Sequence, residues 1–118
     1  MRPLIARTEL LDVENERCLS MGRKLHFSVS DDREFVEVLT TTERRSLFGR
    51  RTQTLRVGRL GPVGSGMLKA AVIRDVAFRV RVVEVTPPHL RKANESGIMI
   101  SVWGDEREID IGAVGGGS

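Results

Sequence analysis

Tyrosine is absent from this chain, cysteine and tryptophan occur once each, and aromatic residues make up only 4 % of its 118 positions. The single cysteine, Cys18, cannot close an internal disulfide, and two histidines are too few for a Cys and His cluster of the structural-zinc kind. A stapled or zinc-held scaffold is therefore excluded, and Cys18 reads as a small buried residue. No apolar run approaches 18 residues, because an Arg, Asp or Glu interrupts each one early, so no transmembrane helix is expected. The apolar stretch at Leu4-Ile5-Ala6 is too short for the core of a signal peptide. These absences predict a soluble, cytoplasmic protein with no membrane partner, no cofactor and no metal.

The catalytic inventory is equally short. Cys18, His26 and His89 stand in three separate segments, and Asp31-Asp32 sits at an expected hairpin tip, where burial does not tune a carboxylate. Ser65 is no nucleophile elbow, since Val63 and Met67 occupy the positions where that motif needs glycine. The glycines of the Gly58 to Gly66 segment fit neither dinucleotide nor P-loop spacing. A small-molecule enzyme is accordingly only the third reading of the chain, and no catalytic residue is assigned.

What the chain does have is arginine, unevenly placed. Net charge is +3 overall, yet residues 1 to 43 sum to −3, residues 44 to 92 to +10 and residues 93 to 118 to −4. Sixteen of the nineteen basic residues are Arg, whose planar fork suits bidentate contact with phosphate or carboxylate. A central basic block of this kind meets an anionic partner or is neutralised by the acidic ends. Its densest part is Arg44-Arg45-Ser46-Leu47-Phe48-Gly49-Arg50-Arg51, followed by Arg56 and Arg59. Arg44, Arg45, Arg50, Arg51, Arg56 and Arg59 are candidate phosphate contacts, and Phe48 a candidate stacking surface for an unpaired base.

Periodicity places these residues on a mainly β fold. Leu25, Phe27 and Val29 alternate with His26, Ser28 and Ser30, and Val36 and Val38 with Phe35, Glu37 and Leu39, around an Asp31-Asp32 turn. That predicts a hairpin of strands 24 to 30 and 34 to 41, with Phe27 buried. Residues 42 to 51 lack a clean period and read as an exposed loop or one helical turn. Strand propensity resumes at 52 to 57, breaks over the Gly-Pro segment, and returns at 76 to 82, 98 to 103 and 107 to 111. Thr8 to Met21, with a capping Thr8, acids in its first turn and Gly22 beyond, reads as a helix; the competing reading is a strand from Leu4 to Leu11 followed by a loop. The expected architecture is a small antiparallel barrel or sandwich of six to eight short strands with at most one substantial helix, at the N-terminus, forming a single domain over 1 to 111, with 112 to 118 a flexible Gly-rich tail.

Lys24-Leu25-His26-Phe27-Ser28-Val29, a turn, and Arg33 to Leu39 resemble the opening of a Sm-like RNA-binding barrel, and Val72-Ile73-Arg74-Asp75 is similar to its second motif. No Asp-x-Met-Asn segment follows the second strand, Glu37 replaces the bend glycine, and Asp75 replaces the glycine after Ile-Arg, so no binding residue is carried over. The leading functional expectation is a non-enzymatic β-barrel module that binds an anionic partner, nucleic acid foremost, through the central arginines. The alternative is a structural or regulatory homo-oligomer, in which the same block meets the acidic ends of a neighbouring subunit.

Overall fold

The computed structural model describes residues 4 to 93 and 95 to 104. Six strands lie among them: β1 (Leu4–Glu9), β2 (Lys24–Val29), β3 (Val36–Ser46), β4 (Gly49–Arg59), β5 (Arg79–Val85) and β6 (Ile98–Trp103). One helix, α1 (Pro62–Ile73), stands between β4 and β5, and two single turns of 3-10 helix cover Glu16–Cys18 and Pro88–Leu90. The strands form one antiparallel sheet in the order β1-β6-β5-β2-β3-β4. The mainly β expectation holds, but the architecture is an open six-stranded sheet rather than a closed barrel or a sandwich. Among the described residues one bridge links its two edges, where Leu11 and Arg59 exchange backbone hydrogen bonds of 2.9 and 2.8 Å. Gly58 makes that approach possible, since a Cβ there would lie 2.6 Å from the Leu11 carbonyl oxygen.

The alternation read from the sequence corresponds to the inner face of this sheet. Leu25, Val36, Val38, Val80, Val82, Ile98, Ile100 and Val102 are buried together with Leu10, Leu19, Val57, Leu60 and Leu68. Phe27 is only half-buried: it packs against this core with its ring 6.1 Å from that of Phe78, at the core's margin. The β2–β3 turn is held by Asp32, whose carboxylate accepts from the Ser30 hydroxyl at 2.6 Å and the Glu34 amide at 3.0 Å. Those two hydrogen bonds hold its carboxyl below the usual range.

Residues 8 to 21 are not a helix. β1 pairs along β6, Leu10 then donates to Ile98 O, Glu14 donates to Val57 O, and Asp12 and Asn15 take left-handed backbone conformations. Burial of Leu10 and Leu19 in the core outweighs the local capping signals. The helix lies instead at Pro62–Ile73, beginning inside the Gly-Pro segment that the sequence reads as a break. Pro62 starts it and Gly61 precedes it, a favourable pairing of φ-fixed and flexible residues. Ser65, Leu68 and Ala71, three apart, are its buried face. Glycines at 64 and 66 lower its intrinsic propensity, so packing supplies what propensity does not.

Ser65 fastens this helix to the sheet. Its hydroxyl accepts from the Val36 amide at 3.0 Å and donates to Leu60 O at 3.2 Å, all in the interior. Ser65→Ala leaves a buried N–H unpaired and is expected to lower unfolding free energy by about 1–3 kcal/mol in urea titration.

Candidate nucleic-acid interface

The segment from 42 to 51, expected as an exposed loop or one helical turn, is the distal part of a β-ribbon. β2 pairs with β3 only as far as Leu39, whereas β3 and β4 continue alone, in register from Thr40↔Leu55 to Ser46↔Gly49. Leu47 and Phe48 form the two-residue turn at the tip, and Gly49 follows with φ 119°, a conformation that favours glycine. From Glu43 to Thr54, every residue whose side chain is described is exposed. With neither face buried, the ribbon has no reason to alternate apolar and polar residues, which is why it carries no period. Its sequence mark is the density of β-branched threonine at Thr40, Thr41, Thr42, Thr52 and Thr54.

The root of this arm is firmly held on both strands. On β3, the Arg23 guanidinium donates to the Thr40 hydroxyl at 3.0 Å and to Thr41 O at 2.6 Å, while the Thr40 hydroxyl donates to Lys24 O. On β4, Arg56 meets three carboxylates: Asp12 at 3.0 Å, Glu37 at 3.3 Å and Glu14 at 3.6 Å. Partial burial lowers the guanidinium's affinity for its proton, but these acids more than offset it, so its pKa lies above the ordinary arginine value. Arg59 is also engaged, 4.4 Å above the Phe35 ring and within the backbone bridge to Leu11.

Of the seven candidates, the fold thus gathers Arg44, Arg45, Phe48, Arg50 and Arg51 on the distal arm, and places Arg56 and Arg59 at its root. The acidic N-terminal segment neutralises part of the central basic block, through Arg56 and through Arg91, which pairs with Glu16. It does not reach the distal arm. There, Arg44 is directly opposite Arg51 and Arg45 directly opposite Arg50. Like charges at opposed positions destabilise an antiparallel pair, by a few tenths to about 1 kcal/mol. One acid, Glu43, lies 3.6 Å from Arg50 with both side chains about two-thirds exposed, a contact of little net worth. Arg45 and Arg51 have no carboxylate within ion-pair distance among the described residues.

A concave surface lies on β5 and β6, a groove of about 800 Å³ between Met21, Arg79, Arg81, Ser101 and Trp103. The Trp103 indole N–H donates to the Ser101 hydroxyl at 2.9 Å, and Arg81 is opposite Lys24, so this surface is also basic. The strand expected at 107 to 111, and with it the pairing of Arg79 and Arg81 with Glu106, Glu108 and Asp110, lies outside the described residues. A smaller hollow of about 350 Å³ is lined by His26, Asp75 and Phe78. Burial, with Lys24 nearby, pushes the His26 imidazole below its ordinary pKa.

Cys18, His26 and His89 lie on the first 3-10 turn, on β2 and on the second 3-10 turn. Among the described residues, no three His, Cys, Asp or Glu side chains are grouped to hold a metal ion, and no helix is long and apolar enough to cross a membrane. No family model, curated protein or solved structure matches the chain.

Proposed function

We propose that this chain is a non-enzymatic module that binds nucleic acid through the arginines of the β3–β4 arm. The observation that carries the reading is the register of that arm, which sets arginine against arginine twice on an exposed ribbon. A two-stranded ribbon alone in water is marginal, and opposed like charges weaken it further. The arrangement becomes favourable when phosphates stand between and around the guanidinium groups and condensed counterions are released. The arm's other polar residues, Thr52, Gln53 and Thr54 among them, supply hydrogen-bonding groups of the kind that contact phosphate, sugar and base edges. Arg56 and Arg59, satisfied within the fold, hold the arm in place.

The homo-oligomer reading uses the same arginines against acids of another copy. Asp12, Glu14 and Glu16 are already engaged by Arg56 and Arg91, so it has fewer acids to draw on. A gel-retention assay at about 50 mM salt, with solution mass measured on the same sample, separates the two. The proposal expects retention of a 30-base-pair duplex by a protein whose mass does not depend on its arginines. No retention, together with an oligomer dispersed by Arg45→Ala and Arg50→Ala, would establish the alternative.

A further inference from the structure

We infer that Leu47 and Phe48 form an apolar wedge that enters the base stack of duplex DNA when the arm lies in a groove; this rests on the nucleic-acid reading of the same arm. The two side chains are 99 % and 93 % exposed, and they occupy the two loop positions of a two-residue hairpin. Neither takes a positive φ, which falls on Gly49 instead, so the turn places no demand for a large apolar side chain at either position and does not account for two that face water. Large apolar side chains carried at the front of a basic element are the kind that proteins insert between base steps, unstacking and kinking the duplex.

The shape of the arm selects the partner. A protein that binds single strands offers a concave basic groove with several stacking platforms, whereas here the basic element projects and carries one aromatic ring at its end. The partner must therefore supply the concavity. B-form DNA admits a two-stranded ribbon in its major or minor groove and takes wedges of this kind from the minor groove, while the major groove of A-form RNA is too narrow and its minor groove shallow. An anionic membrane would also attract arginines beside an apolar tip. It has no use for the ribbon's threonines and Gln53, which are groups that hydrogen-bond phosphate, sugar and base edges.

The test uses the whole chain and a 30-base-pair duplex holding 2-aminopurine, a base whose fluorescence rises on unstacking, with a dye pair at the duplex ends to report bending. Wild-type protein is expected to raise the 2-aminopurine signal severalfold and bring the ends closer. Leu47→Ala/Phe48→Ala, whose fold circular dichroism verifies, is expected to keep the same salt dependence of binding and lose at least nine-tenths of both signals. Tight duplex binding by wild type with neither signal would overturn the wedge and leave the nucleic-acid reading standing. Tenfold tighter binding to the single strand of the same sequence would overturn the duplex assignment. Retention by phosphatidylglycerol vesicles without DNA binding at about 50 mM salt, or no binding to either, would overturn the wedge and the reading it rests on.

Discussion

Replacing Arg44, Arg45, Arg50 and Arg51 together by alanine is expected to flatten the salt dependence of duplex binding by up to about four units of slope. For wild type, four phosphate contacts at about 0.9 units each correspond to roughly a hundredfold loss of affinity between 50 and 200 mM salt. The same variant should melt no lower than wild type. The substitutions relieve two opposed arginine pairs and remove one exposed ion pair of small worth. Loss of binding without loss of stability is the pattern of a surface kept for a partner. Arg56→Ala should behave in the opposite way, lowering the melting temperature by leaving Asp12, Glu14 and Glu37 without their common cation while changing the salt slope little. Equal effects of the two variants on the slope would mean that root and arm bind alike.

Ile100→Ala is expected to be the most damaging single truncation, at about 2–5 kcal/mol of unfolding free energy in urea titration. Ile100 is fully buried at the middle of β6, paired with Thr8 of β1 on one side and Val82 of β5 on the other. Truncation there leaves a void in the core at a strand paired on both sides. A domain of this size has of order 5–15 kcal/mol to lose, so this one change removes a large part of it. A loss below about 1 kcal/mol would mean that β6 is not central to the sheet.

The contrast between these two regions explains what could be read from the sequence. Where one face of a strand is buried, as with Leu25, Val36, Val38, Val80 and Val82, the two-residue period appears and the strand is found. The arm has no buried face, so only its threonines hinted at strand, and the arginines looked like loop. Helix α1 was hidden by Gly64 and Gly66, although Pro62 after Gly61 and the spacing of Ser65, Leu68 and Ala71 were available as signals. At 8 to 21, Thr8, Glu9, Asp12 and Gly22 are good local helix signals, but Leu10 belongs to the core and Asp12 and Glu14 serve Arg56 on a distant strand. The same long-range pairing separated the candidate site into a distal arm and a root, which no local spacing could distinguish. Closure is not met for a similar reason: whether β1 and β4 join along their length depends on register between strands far apart in sequence, and among the described residues the one bridge between these edges is Leu11 with Arg59.

The most direct measurement is an amide nuclear magnetic resonance titration of the whole chain with a 30-base-pair duplex at about 50 mM salt. The amides of Thr41 to Thr54 are expected to shift, most at Arg45 to Arg51, with Arg56, Arg59 and α1 little changed. Perturbations centred on Arg79, Arg81 and Trp103, or no perturbation at saturating duplex, would contradict binding through the arm.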